Sequence, residues 1–108
     1  MFYQQIIKGT IKFVILSMLE KQPMYGYGLI QTANQKTNGF FQWRQSAVYT
    51  ALSEMEKAGL IKGRWKSAGP LRKRKYYSPT AKGKKLLMTN RIVWLAFSDS
   101  MNKLVSNT

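Results

Sequence analysis

Little in this sequence can move a proton or attack a bond. It contains no His and no Cys, and its four carboxylates, Glu20, Glu54, Glu56 and Asp99, are scattered along 108 residues. General acid–base catalysis, a thiolate nucleophile and an imidazole or thiolate metal site all lack their usual groups. The residues therefore point to a protein that is not an enzyme and uses neither metal nor cofactor. What they offer instead is positive charge. Lys and Arg number 18, for a formal net charge of +14. Ten of those 18 (Lys62, Arg64, Lys66, Arg72, Lys73, Arg74, Lys75, Lys82, Lys84 and Lys85) fall within residues 62–85, where there is no acid. A cluster of this kind is suited to neutralising a polyanion.

Nucleic acid, an anionic membrane surface and an acidic protein all fit the total charge, so the elements that carry the cations must discriminate. Residues 4–20 repeat apolar side chains (Ile6, Ile7, Ile11, Val14, Ile15, Met18, Leu19) at three- and four-residue steps, which predicts a helix with a broad apolar face. Pro23 ends it. A second helix is expected from Tyr25 or Gly26 to Lys36, burying Leu29, Ile30 and Ala33, with Asn38-Gly39 as its stop. Residues 40–44 form an aromatic, extended link. A third helix runs from about Gln45 to Lys57, with Val48, Leu52, Met55 and Tyr49 as candidates for its inward face and Gly59 closing it. Beyond Leu60 the period changes from 3.6 to 2. Residues 60–66 and 73–78 then read as two strands of a hairpin around a Ser67–Leu71 turn, with Tyr76 and Tyr77 on opposite faces and Trp65 in the core or supporting the wing. Thr80 is a good N-cap for a final helix of roughly 25 residues, in which Leu87, Trp94 and Met101 recur at seven-residue spacing beside Phe97 and Leu104.

The fold class expected is mainly α with a small β-hairpin: a winged helix-turn-helix domain over 1–79 and a long dimerisation helix over 80–108, folded as one compact unit. In that architecture the third helix enters the major groove of double-stranded DNA. Its outward Gln45, Ser46, Thr50 and Ser53 are short polar groups fitted to bases or phosphates. Lys66, Arg72, Lys73, Arg74 and Lys75 on the wing can follow a phosphate backbone or reach a minor groove. Tyr49 divides between packing and phosphate contact. A final helix this long extends past its own core, and Ile7, Ile11, Leu87, Trp94, Phe97, Met101 and Leu104 are the candidates to pair with a second copy.

Four motifs in this order resemble the PadR family of transcriptional regulators: Tyr25-Gly26-Tyr27-Gly28-Leu29-Ile30, then Val48-Tyr49-Thr50-Ala51-Leu52 through Met55 to Ile61, then Arg74-Lys75-Tyr76-Tyr77, then Thr80-Ala81-Lys82-Gly83. The resemblance as a whole extends over about residues 11–87. The resemblance implies a homodimer that binds an inverted-repeat operator, usually as a repressor, with Tyr25 among the DNA-contacting residues. The single C-terminal helix is similar to that of the short subfamily, some of whose members bind planar aromatic compounds at the dimer interface. By that likeness, carried over at this one position, Trp94 lines a ligand site, with Arg91 one turn before it and Ile11 as further candidates; by residue type alone Trp94 reads first as an interface anchor with no ligand. Arg91 would favour an acidic ligand. Three departures stand out. Ala47 replaces the usual Thr ahead of the Val-Tyr pair, Gly28 follows Tyr27 where an acidic residue is common, and Pro79, in place of an aliphatic residue, is expected to end the second strand early.

The alternative within DNA binding is an architectural or plasmid-partition protein that coats repeated sites, a role the excess charge suggests. A membrane partner is disfavoured because the cations sit on a hairpin, whereas a surface-seeking helix carries them along one face. The apolar runs at both ends are also shorter than the ~20 residues of a membrane span. With no cysteine and no leader-like N-terminus the expected location is cytoplasmic, on the nucleoid when bound.

Overall fold

The computed structural model describes residues 1–107. Its elements are α1 (Phe2–Lys21), α2 (Gly26–Lys36), α3 (Gln45–Lys57), β1 (Ile61–Gly69), β2 (Arg72–Pro79) and α4 (Ala81–Val105). Three helices followed by an antiparallel two-stranded wing and a long last helix is the winged helix-turn-helix order. The apolar periodicity explains why. α3 buries Val48, Ala51, Leu52 and Met55, one stripe at three- and four-residue steps. These side chains meet Ile11, Ile15, Leu16 and Leu19 of α1, Leu29 and Ala33 of α2, Ile61 and Tyr77 at the wing base, and Leu87 of α4. Trp43, in the link between α2 and α3, joins the same core. Its ring stacks on Phe41 with centroids 5.8 Å apart.

The junctions are fixed by local chemistry. At the end of α3 the Leu60 amide donates to the Met55 carbonyl (2.9 Å) and the Gly59 amide to that of Glu56 (3.0 Å). This is a Schellman cap, with Gly59 in the left-handed region at φ 76. Thr80 then ties α4 to that same corner. Its hydroxyl accepts from the Gly83 amide (3.1 Å) and donates to the Gly59 carbonyl (2.6 Å), while its own amide donates to Leu60 O (3.0 Å). Lys82 Nζ donates to the Ala58 carbonyl (2.7 Å), placing a cation on the negative end of the α3 dipole. Thr80→Ala removes both hydroxyl bonds and should cost about 1–2 kcal/mol, the range of a lost N-cap. A urea melt at fixed protein concentration checks it, with the midpoint lowered and the slope unchanged.

The hairpin is longer than expected. Its register runs from Ile61 opposite Pro79 to Gly69 opposite Arg72, with a bulge between Ser67 and Gly69, so only Pro70 and Leu71 form the turn. Pro79 does not end β2 early; it pairs with Ile61 as the last residue of the strand, where a missing amide breaks no interior rung. On its other edge β2 exchanges hydrogen bonds with Met24, between Tyr77 N and Met24 O (2.9 Å) and between Met24 N and Tyr77 O (3.3 Å), which locks the wing base to the α1–α2 link. Trp65 is not a core residue: it is 64% exposed, because its strand face leaves the body one rung beyond Gly63 and Tyr77.

Past Leu87, α4 leaves the body and its apolar residues Ile92, Val93, Leu95, Phe97 and Leu104 stand exposed. The radius of gyration records this, at 15.3 Å against about 13 Å for a compact chain of this length. Among the described residues no helix is long and apolar enough to cross a membrane.

Candidate nucleic-acid interface

Three elements meet on one side of the molecule. The N-terminus of α2 supplies Tyr25, α3 supplies its outward face, and the wing supplies cations. Along α3 the residues between the buried stripe, Gln45, Ser46, Thr50 and Ser53, are all exposed, as their positions required. Tyr49 is also on the outside, 47% exposed, correcting the inward alternative. Its ring lies over the start of α2, where a Cβ on Gly26 would meet it at 2.6–2.8 Å. A Cβ there would displace the ring from this seat, so the tyrosine-glycine motif of α2 and the tyrosine of α3 form one structural unit.

Strand alternation sorts the wing's cations. Tyr77 points into the core, so Lys75 and Lys73 share its face, while Arg72, Arg74 and Tyr76 occupy the other. Across the ladder Lys66 lies opposite Arg74 and Arg64 opposite Tyr76. The outer face therefore stacks cations on aromatic rings. The Arg74 guanidinium carbon sits 4.3 Å from the Tyr25 ring centroid, Lys66 Nζ 5.5 Å from that of Tyr76, and the Tyr25 and Tyr76 rings meet edge to face at 5.5 Å. Tyr25 thereby joins the α2 N-terminus to the wing, and the rings hold long cationic side chains in place. Arg64 on this face and Arg44, exposed at the N-cap of α3, were missing from the expected site. The i, i+2, i+4 alternation of Lys62, Arg64 and Lys66 was the signal for the first of them.

Lys75 departs from expectation. Its ammonium is held by Glu56 Oε1 at 3.0 Å and lies 5.4 Å from the Tyr77 ring centroid, on the body side of the strand. Each of the other acids is paired as well: Glu54 with Lys12 (2.8 Å), Glu20 with Arg91 (2.8 Å) and Asp99 with Lys103 (3.1 Å). Among the described residues no side-chain carboxylate is left over to oppose an anion at the outer face. The Lys12 hydrogen bond and charge hold the Glu54 carboxyl below its ordinary 4.5.

The wing base also predicts a pH response. Its hydrogen bond to Glu56 raises the Lys75 ammonium above its ordinary 10.5, and burial pushes the Tyr77 hydroxyl above 10.0. A group whose folded value is raised contributes stability below its unfolded value and loses it as pH climbs through the folded one. The wing should therefore loosen above about pH 10. Tyrosinate absorbance read beside circular dichroism should show one late-titrating phenol whose ionisation accompanies loss of structure.

A second feature lies away from this surface. α1 and the outer half of α4 enclose an apolar groove of about 840 Å³ lined by Phe2, Ile6, Phe13, Trp94, Phe97 and Met101, among others. Trp94 lines it, with its ring centroid 6.1 Å from that of Phe13 and 6.0 Å from that of Phe97. Arg91 and Ile11 do not line it. The Arg91 guanidinium is engaged by Glu20 and by Ser17 Oγ (3.2 Å), and Ile11 is buried in the core. Leu87 is likewise fully buried within the chain and has no surface to give a partner. Ile7 packs half-buried against the core. Phe97 and Leu104 are exposed, and Met101 lies in the groove.

A recognition helix, its supporting helix and a basic wing define a winged helix-turn-helix protein. The chain belongs to the PadR-like family of transcriptional regulators, whose model matches residues 15–89. It is 32% identical to a PadR-like transcriptional regulator from Bacillus cereus, covering 96% of this chain and 99% of that one with a TM-score of 0.83. A transcriptional regulator from Clostridium thermocellum is 28% identical, covers 94% of this chain and 96% of that one, and superposes with a TM-score of 0.84. Bacillus subtilis PadR, solved in complex with operator DNA, is 27% identical over 80% of this chain and 47% of that one, with a TM-score of 0.69. An uncharacterized protein of Lysinibacillus sphaericus is 31% identical over 87 residues, 81% of this chain and 80% of its own.

Proposed function

We propose that this protein is a homodimeric repressor that binds an inverted-repeat DNA operator. The observation that carries the reading is the run of contacts from α3 to the wing, Tyr49 on Gly26 and Tyr25 on Arg74 and Tyr76, beside an exposed polar face of α3 and the outer-face cations Arg64 and Lys66, with all four acidic side chains engaged by other cations. Gln45, Ser46, Thr50 and Ser53 read base edges in the major groove, Tyr49 and Arg44 meet phosphates beside them, and the wing follows the backbone. Lys73 and Arg72 extend that contact toward the tip. Ala47 contributes no hydroxyl, so this operator differs from those of relatives with a threonine there.

Residues 1–79 form the reading head and 80–108 the dimerisation helix, although Thr80, Gly83 and Leu87 pack into the head itself. The exposed apolar length of α4 with Phe2 and Ile6 of α1 supports a second copy as occupant. That pairing sets two α3 helices about one DNA turn, ~34 Å, apart. The groove around Trp94 then takes a planar aromatic effector. With Arg91 neutralised by Glu20, its chemistry favours a neutral or cationic compound.

Footprinting on host DNA fragments recovered by selection tests the reading. One or two protected palindromes support a repressor, whereas an array that spreads with protein concentration supports the architectural role. Tryptophan fluorescence of wild type and Trp94→Leu against a panel of cationic and phenolic aromatics tests the effector. Quenching in wild type alone is expected, together with a weakened operator complex.

A further inference from the structure

The wing ends on an apolar side chain for which the fold gives no reason. Leu71 occupies the second position of the two-residue turn between β1 and β2 and holds a left-handed backbone, φ 60. Glycine or asparagine would adopt that conformation with less strain. Its side chain is fully exposed and belongs to no core cluster. Scattered exposed leucines need no explanation. A strained one at the apex of a cationic arm is different. Arg72 and Lys73 follow it directly, Lys66 and Arg74 form a cross-strand pair below it, and no carboxylate occurs between Glu56 and Asp99. A bulge between Ser67 and Gly69 lies just beneath the tip, where such an insertion increases the local twist of the strand.

We propose that Leu71 is a wedge that enters the minor groove beside the operator half-site and bends the DNA, an inference that rests on the DNA-binding reading above. The surrounding charge selects a polyanion, and for a wing tip in the minor groove, away from the thymine methyls of the major groove, the apolar surface open to a leucine lies between base pairs. An aliphatic side chain inserted there from the minor groove partly unstacks the step and kinks the helix by about 20–90°. The cations on either side hold the flanking phosphates while the step opens. Because the turn already holds Leu71 outward, little ordering is needed on binding. Unstacking is easiest at pyrimidine–purine steps, so the wing selects TA or CA at positions that no polar side chain reads.

The test uses the selected operator duplex with a donor–acceptor dye pair at its ends and 2-aminopurine in the flanking steps. Two variants are compared with wild type: Leu71→Gly, which suits the backbone and removes the wedge, and Leu71→Met, which keeps an apolar one. Wild type and Leu71→Met should shorten the end-to-end distance and brighten the 2-aminopurine. Leu71→Gly should still bind, with an unchanged salt slope, but lose the bend, the fluorescence gain and the preference for TA over A-tract flanks. A straight duplex in the wild-type complex, or bending by Leu71→Gly equal to wild type, would overturn the wedge and leave DNA binding intact. A change in sedimentation of DNA-free Leu71→Gly would overturn it too, by assigning the tip to a protein contact. Failure of wild type to form any complex would instead remove the DNA reading itself.

Discussion

Gly83→Ala should cost the fold about 3 kcal/mol, toward the upper end of what overpacking a tight contact costs. In an ordinary helix the same change gains roughly 0.5–1 kcal/mol, because alanine loses less backbone freedom on folding. The sign inverts here because of what α4 packs against. A Cβ on Gly83 would overlap the Leu60 carbonyl oxygen, with the Leu60 carbonyl carbon at 3.0 Å and Leu16 Cδ1 at 3.3 Å. The first two are backbone, and the Leu16 methyl belongs to a side chain buried in the core. The Leu60 carbonyl is held by the Thr80 amide and the Leu60 amide by Met55 O, so the strand cannot retreat without breaking the cap of α3. The helix cannot retreat either without releasing Thr80 from Gly59 and withdrawing Leu87 from the core. With about 4–8 °C of melting temperature per kcal/mol for a domain near this size, the variant should melt roughly 12–24 °C below wild type. Lys84→Ala, on the exposed neighbouring position, should stay within about 0.5 kcal/mol. Thermal melts of the three proteins at one concentration decide it, and a Gly83→Ala protein as stable as wild type would mean that α4 does not approach the wing base this closely.

The features readable in the sequence are those that depend on near neighbours. The buried stripe of α3, the Asn38-Gly39 stop, the Gly59 cap and the Thr80 cap each need only the surrounding turn of chain, and each stands where the spacing put it. Features that depend on distant partners were not readable. Trp43 sits in a segment with no periodicity, and only the assembled helices make its place a core site. Leu87, Trp94 and Met101 form one stripe by spacing, yet the body of the fold covers the first and leaves Trp94 41% exposed, because the helix runs out from under its support. Arg91 reads as a ligand group from the sequence, but Glu20, distant in the chain on α1, holds its guanidinium. Of the candidate site, the recognition-helix positions were legible because helical period alone fixes which side chains face outward. The wing was legible only as a charged hairpin. Which of its cations are free depends on a strand parity set by Tyr77, and on Glu56 reaching across from α3.

That division among the wing's cations makes the second large prediction. Lys66→Ala combined with Arg74→Ala should weaken operator binding by about 25-fold at physiological salt and make the slope of log K against log salt shallower by about 2. The estimate follows from counterion release, in which each phosphate neutralised contributes about 0.9 to the slope and hence roughly fivefold in affinity near 0.15 M. Both side chains lie on the outer face, steadied by Tyr76 and Tyr25 and with no acid to hold them back. Lys75→Ala removes the same formal charge as Arg74→Ala alone, from the next residue along, and should act differently. Its ammonium is already neutralised by Glu56, so the salt slope should hold, while loss of a half-buried pair lowers stability by up to about 1 kcal/mol. Titrating operator complexes over a range of salt concentrations, with a melt of each variant alongside, separates contact from support. If Lys75→Ala flattens the slope as much as Arg74→Ala does, net charge alone governs binding and the outer face has no special part in it. If only the outer-face variants flatten it, DNA contact depends on which strand face a lysine occupies, as the alternation set by Tyr77 requires.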